Sequence, residues 1–452
     1  TVYNVMYYTL VIIIWIAKSV NRIKPLIVVL LAVVWASAVF SATNEQKQEK
    51  LIAEAEALLQ EEIYLRAQPL LEEAVSYQTD RTYHAENLLK KVYLALREDQ
   101  GYETKYRNLL TAQMERAGAP AEVFFEAADY YFDSEKIAKG IAALRDGVQA
   151  TNDPALLEAY EANRYQYRPG RVSFQQIMEA YNGMRQVQSE EGLWGLADLS
   201  GKLSIPCLYE AVSTYNNQLA VVQSAEDGSI FSVDAANHRM YVLKTDKTVS
   251  AFGNYANDRV TMKMDDGWHR VTGTFEIGKM SFEEIGMYTA GFVAAKSGGK
   301  WGVIDLQDEW LIPAEYDGIK TDELGRCIGQ DAVFVEKNGN VMLFVRGEAC
   351  EGSFEDAQPF QEDGYAAVKQ GGKWGFADTT GEIKIACQFD DARSFHQGLA
   401  AVKSGDKWGY ISTAGEMVIE PVFYSAKSFC DGYAPVETEN GWTIIRLYEY
   451  ET

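Results

Sequence analysis

A chain of 452 residues, 47% hydrophobic and 24% charged, has the composition of a globular protein with room for two or three domains. Its formal net charge of -23 repels phosphate backbones, which argues against nucleic acid as a partner. Anionic lipid headgroups are repelled equally, outside one basic cluster near the start.

Residues 1–17 carry no charge and include the apolar run Leu10 to Ile16. Lys18, Arg22 and Lys24 follow, and Pro25 to Ala42 is a second uncharged stretch, of 18 residues. As a helix rising 1.5 Å per residue it would reach about 27 Å, close to the ~30 Å of a hydrocarbon core. The three basic residues then stay cytoplasmic and everything after Ala42 is sent outward. The span Lys18 to Ala42 also has the layout of a secretory signal, with small residues for cleavage at Ala36-Ser37-Ala38 or Ser41-Ala42. Its apolar part is long for an h-region of about 7–15 residues, which favours an uncleaved anchor over residues 1–43. Both readings place the rest extracytoplasmically, either on the cell membrane as a single- or double-pass protein or secreted after cleavage. The first residue is Thr, so residues 1–17 are read either as a piece of something longer or as a misassigned start.

Residues 44–168 change to Ala, Leu, Glu, Lys and Tyr at helical spacing. Leu51, Ala55, Leu58 and Leu59 fall on one helix face, and Pro120 and Pro154 each open a helix, where a missing N–H is harmless. Ala127, Tyr130-Tyr131, Ala138, Ile141 and Leu144 resemble the packing positions of a tetratricopeptide (TPR) helix pair, though the Trp and Leu-Gly of that consensus are missing. Three to four TPR-like hairpins are expected, with an irregular helical bundle as the alternative. Tyr167 to Arg171 reads as punctuation before a β region.

From about Val172 to the C-terminus the chain repeats itself. Trp-Gly pairs stand at Trp194-Gly195, Trp301-Gly302, Trp374-Gly375 and Trp408-Gly409, with degenerate copies at Trp268-His269 and Gly441-Trp442. Ser229 and Asn340 occupy the same slot in two further units, giving eight slots spaced by 33 to 39 residues. Ten residues upstream of the slot comes a glycine (Gly291, Gly364, Gly398, Gly432), then an alternating apolar run such as Leu399 to Val402. Gly405-Asp406 marks a hairpin into the tryptophan strand. Asp198, Asp305 or Asp378 then precedes a turn glycine, and a third strand carries Ile at plus eleven and Tyr or Phe at plus fifteen.

This pattern, best displayed by Lys300–Tyr316, Lys373–Phe389 and Lys407–Phe423, closely resembles the WG (KWG) repeat family over about residues 172–452. The spacing and strand pattern predict an all-β array of about eight three-stranded repeats; the resemblance implies a bacterial, often surface-associated β-repeat protein, and it carries no activity or ligand to transfer. The array either closes in a propeller-like ring or continues as an open β-repeat superhelix. Closure is favoured because it protects strand edges.

Chemistry is sparse. Cys207, Cys327, Cys350, Cys387 and Cys430 show no metal spacing, and Cys207 and Cys387 share one repeat position, which indicates a small packing site. His84, His238, His269 and His396 match no metal motif. The acidic pairs Asp265-Asp266, Glu283-Glu284, Glu355-Asp356 and Asp390-Asp391 read as solvated turn positions. No catalytic, metal or cofactor residue is assigned, and enzymatic activity is not expected. The slot residues Trp194, Trp268, Trp301, Trp374, Trp408 and Trp442, with Gly195, Gly302, Gly375 and Gly409, are taken as structural, although a row of tryptophans stacking on sugar is the competing reading. The expected function is a membrane-anchored, multi-domain scaffold mediating protein–protein interactions at a bacterial cell surface. The alternative is a protein that binds or processes cell-surface glycan.

Overall fold

The computed structural model describes residues 25–450. They form two compact units, one holding the chain up to Glu135 together with Ala143–Leu157, the other Lys136–Ala142 and Glu158 onward.

Seven α-helices lead among the described residues: α1 Pro25–Gln60, α2 Tyr64–Ser76, α3 Thr82–Ala95, α4 Tyr102–Met114, α5 Ala121–Asp133, α6 Ile137–Thr151 and α7 Pro154–Asn163. Helices α1 to α5 each pack on the next in chain order. Pro120, extended at φ -73° and ψ 157°, sets up α5, whose Val123, Phe124, Ala127 and Ala128 are buried on one face. Pro154 begins α7, and Asp153 Oδ1 accepts the N–H groups of Ala155 and Leu156, the donors that a helix start leaves free. Buried polar side chains fix the stacking. Gln48 donates to the Ala74 carbonyl at 2.7 Å, and the Arg116 guanidinium holds Glu86 with two bonds of 3.0 and 2.7 Å. The anticipated face of α1 is only partly covered, with Ala55 buried and Leu51, Leu58 and Leu59 half-buried.

Residues 1–24 of the expected anchor lie outside the described residues. The backbone of α1 runs through Pro25 to Ala42, where most side chains are likewise undescribed. Among the described residues no helix is long and apolar enough to cross a membrane.

The β part has seven hydrogen-bonded sheets, and the largest holds two units joined by the strand Leu203–Val212, whose register shifts between Tyr209 and Ala211. The eight expected units are therefore all present. Both units with a substituted slot, at Ser229 and Asn340, keep their sheets. Each unit has four strands rather than the expected three, and the fifth adds one more, Ile328–Gly329. In the seventh they are Asp391–Ala392, Leu399–Ser404, Lys407–Ser412 and Met417–Phe423, all antiparallel. In the seventh unit the extra strand spans two residues, too few to show a period of two, and begins two residues after Phe389, the aromatic that closes the preceding unit.

The glycine of each perfect Trp-Gly pair is required by a close approach. A Cβ on Gly195 or Gly375 would lie 2.5 Å from the carbonyl oxygen of Ile205 or Ile385, and Gly302 and Gly409 meet Ile312 and Ile419 in the same way. The third strand crosses here with a register shift, pairing Trp374 with Phe389 and Phe376 with Ile385. In the Trp268 unit the shift falls between His269 and Val271 instead, and a histidine is accommodated.

Each unit buries its apolar faces against its neighbours. Leu399, Trp408, Tyr410 and Phe423 of the seventh pack with Phe429, Val436 and Ile445 of the eighth, and equivalent clusters join every successive pair. The eighth returns to the first, where Ile444 joins Ile177, Val187 and Ala197. The cycle is closed. Its last sheet is completed by Tyr167–Pro169, paired with Ile445–Leu447, so the expected punctuation is a strand of the ring. Pro169 is tolerated because it sits on the sheet's outer edge.

Gly375→Ala should cost at least about 1–3 kcal/mol, the usual penalty for overpacking, because the clash is with backbone. Gly372, at φ +76° with open space around it, should accept Asn at little cost. Urea unfolding of the two variants checks the contrast.

Candidate binding surfaces

The helical unit carries a groove of about 770 Å³ lined by α4, α5 and the end of α3. Its floor is aromatic, with the Tyr106 and Tyr130 rings 5.0 Å apart and Phe125 beside them. Its walls are acidic: Glu98, Glu103, Glu122, Glu126, Asp129 and Asp133, against Arg97 alone. Tyr106 donates to Glu126 at 3.0 Å and Tyr130 to Glu103 at 2.8 Å. Burial first, then the Glu103 carboxylate, pushes the Tyr130 phenol up to about 12, and burial with Glu126 raises Tyr106 further. Both phenols stay protonated as donors; Glu126 is also paired with Lys90 and Glu98 with Arg97, while Glu122, Asp129 and Asp133 line the groove beside them.

In the β unit, polar residues meet at the middle of the ring. The loop Lys320–Cys327 of the fifth unit is an insertion shaped by Asp322, whose Oδ1 accepts the N–H of Leu324 and of Arg326, with Gly325 at φ +89°. Its Glu323 accepts the Glu179 N–H of the first unit at 2.7 Å and bonds Lys427 of the eighth. In a cycle of eight the fifth unit lies opposite the first, so Glu323 reaches across the centre.

Glu179 is almost wholly enclosed there. Its carboxylate accepts the Ser428 N–H at 3.1 Å and the Ser428 hydroxyl at 3.2 Å, with Arg393 at 3.9 Å and Arg185 at 4.0 Å. Burial opposes its ionisation most, but Arg393, Lys427 and Arg185 outweigh that and hold the carboxyl below its ordinary value. Arg185 is fully enclosed, its Nε without a partner, and burial lowers its affinity for a proton despite Glu179. Tyr410 donates to the Lys427 carbonyl at 2.8 Å, and burial followed by Glu179 pushes its phenol well above its ordinary value.

The slot tryptophans divide by exposure. Trp374 and Trp408 are 7% exposed and belong to inter-unit cores, whereas Trp194, Trp268, Trp301 and Trp442 are half-buried against them. Arg393 lies 5.6 Å from the Trp408 ring and Lys427 5.1 Å from that of Trp442.

The acidic pairs do more than face solvent. Asp390 accepts the Gly405 N–H of its own hairpin and pairs with Lys373 of the unit before, clasping two units together. Asp317 does the same with Asn338 and Lys300, and both Glu355 oxygens accept hairpin N–H groups, from Gly371 and Gly372. A carboxylate immediately after the repeat aromatic, as in Tyr316-Asp317, Phe354-Glu355 and Phe389-Asp390, is the sequence signal for this role.

Cys207 and Cys387 take matching places, each thiol 3.9 Å from a strand carbonyl, of Val187 and Val368. Burial raises both thiols and pushes that of Cys327 up to about 12, so all three resist forming the reactive thiolate. His269 is held between the Gly278 carbonyl and Asp266, and His396 bonds the Phe429 carbonyl. Among the described residues no His, Cys, Asp and Glu cluster has the makings of a metal site.

A family model described as WG containing repeat matches residues 194–225, 301–323, 351–374, 374–408 and 408–442. Five segments of the β part therefore match the WG-repeat model. The match does not extend to the helical unit. No curated protein matches the chain. Among solved structures, Kluyveromyces lactis Hsv2 aligns at 8% identity over 60% of this chain and 97% of its own, with a TM-score of 0.38. A streptogramin B lyase aligns at 12% identity over 53% and 93%, with a TM-score of 0.33. The extracellular domain of the hybrid two-component system BT4673 from B. thetaiotaomicron aligns at 12% identity over 62% of this chain and 46% of its own, with a TM-score of 0.32. Likenesses at this level carry no argument about activity.

Two outcomes follow from the WG-repeat ring. Trp374→Ala or Trp408→Ala should each cost about 3–5 kcal/mol in denaturant unfolding, the usual loss for a buried large aromatic. Glu179→Gln should cost about 3–5 kcal/mol at neutral pH by stranding the cations around it. Because the folded carboxyl is depressed, its contribution is complete above the ordinary carboxylate range and lost as pH falls through the folded value. The Gln variant should therefore lose less stability than wild type on acidification, measured by urea unfolding at stepped pH.

Proposed function

We propose that this protein is a binding scaffold whose helical unit holds a basic segment of a protein partner. The observation that carries the reading is the groove of α3 to α5, where six carboxylates rim a floor of Tyr106, Phe125 and Tyr130. Lysine or arginine side chains would meet the carboxylates, and their stems or neighbouring apolar residues would cover the rings. In this reading α2 to α7 work as TPR-like hairpins, which present a concave face to an extended peptide. The WG-repeat ring supplies a second, rigid body with variable loops. The apolar Pro25–Ala42 stretch favours an anchored, extracytoplasmic placement at a bacterial surface, where the partner would be another envelope protein.

Fluorescence anisotropy with the full chain tests the groove. A labelled Lys- and Arg-rich peptide should bind, weaken as salt is raised, and lose affinity about tenfold or more in a Glu122→Lys, Asp129→Lys variant, some 1.4 kcal/mol. Equal binding of a Glu-rich peptide, or no response to the charge reversal, would sink the reading.

A further inference from the structure

The ring's middle encloses a cavity of about 270 Å³ beside the Glu323 plug. We propose that it is a binding site for a neutral polyhydroxylated ring of monosaccharide size, a role separate from that of the helical groove. Its volume falls just short of the roughly 300–1,000 Å³ that houses drug-sized ligands, so a small molecule is the right scale. Five units contribute walls: Glu179 from the first, Lys320 to Glu323 from the fifth, Asp356, Gln358 and Trp374 from the sixth, Arg393 from the seventh and Ser428 from the eighth.

The charges in those walls are already matched. Asp356 lies 3.0 Å from Lys320, Asp322 2.6 Å from Arg326, Glu179 3.9 Å from Arg393, and Glu323 is paired with Lys427. An ionic ligand would have to break one of these pairs or leave a charge uncompensated in an enclosed place. Hydroxyl groups face no such cost, because a carboxylate has lone pairs beyond those its cation uses and can accept further hydrogen bonds. Gln358 adds a side-chain amide with both donors and an acceptor, and its backbone carbonyl accepts the Ser394 hydroxyl at 3.4 Å. Trp374, 7% exposed and packed between the sixth and seventh units, adds an apolar patch to one wall. Thr321 is exposed and the Asp356 side chain is 40% exposed, so the cavity has an open end.

Trp374 also holds two units together, so the test uses other residues. Glucose, galactose and N-acetylglucosamine are titrated into the full chain by calorimetry and saturation-transfer NMR, with lysine and inorganic phosphate as charged comparisons. At least one sugar should bind in the millimolar range, and Gln358→Leu should weaken it about tenfold or more. Asp406→Asn, in an exposed hairpin turn, should leave binding unchanged. Circular dichroism checks folding, and Asp356→Asn replaces Gln358→Leu if the latter does not fold. Failure of all three sugars at tens of millimolar, binding that survives the cavity variant, or binding of lysine or phosphate in place of sugar would each overturn the proposal.

Discussion

No unit of the β part can cover its own two apolar faces, and everything else in the ring follows from that. A four-stranded sheet with Ala401, Tyr410 and Ile419 on one side and Val402 and Ile411 on the other needs a neighbour on each side. In a line of repeats the two end units would each leave one face bare. The cycle removes the ends by seating Ile444 of the eighth unit against Ile177 and Val187 of the first. Covalent order alone would leave the last sheet one strand short. Tyr167–Pro169 fills that place from the other end of the domain, so the seam is held by backbone hydrogen bonds as well as by apolar contact.

Closing a ring of eight leaves space at its centre, and this chain fills it with charge. Glu323 comes from the fifth unit to meet the first and eighth, while Glu179 sits among three cations. A buried ion pair gains little over a well-packed apolar contact, but removing one member leaves the others stranded at a cost of several kcal/mol. The arrangement therefore acts more on specificity than on net stability. It ties together units that share no strand pairing, and it leaves beside them a polar cavity that an apolar plug would have eliminated.

Much of this was legible in the residues. The slot spacing counted eight units correctly, because tryptophan and glycine answer to geometry: Trp374 fills an inter-unit core and Gly375 lies under the third strand's backbone. The Asp-x-x-Gly turn is equally readable, since Asp378 accepts the N–H of Thr380 and of Glu382 in the way that sequence prescribes. What stayed hidden is non-local. Nothing in Tyr167-Arg168-Pro169 announces that its partner stands at Ile445–Leu447, and two-residue strands such as Asp391–Ala392 carry no periodicity. Glu179, Glu323 and Lys427 lie far apart in the chain, so only the closed cycle makes them a cluster. The groove was hidden for the same reason, its carboxylates coming from the turn after α3, from α4 and from α5.

Acidity in this chain does two different jobs, and the difference bears on where a partner would be felt. In the WG-repeat ring, carboxylates are consumed by the fold: Asp198, Asp305 and Asp378 bond turn N–H groups, and Asp317 and Asp390 each hold a hairpin and a lysine. Such groups have little left to offer a cation. In the helical unit, Glu122, Asp129 and Asp133 close no turn and rim a concave surface. A charge that the fold does not use persists as field, and a groove with low-dielectric aromatic walls concentrates it. The overall -23 is thus a poor guide to binding by itself. The relevant quantity is the part of it that no cation of the fold pairs with, and Glu122, Asp129 and Asp133 place some of that part at the groove.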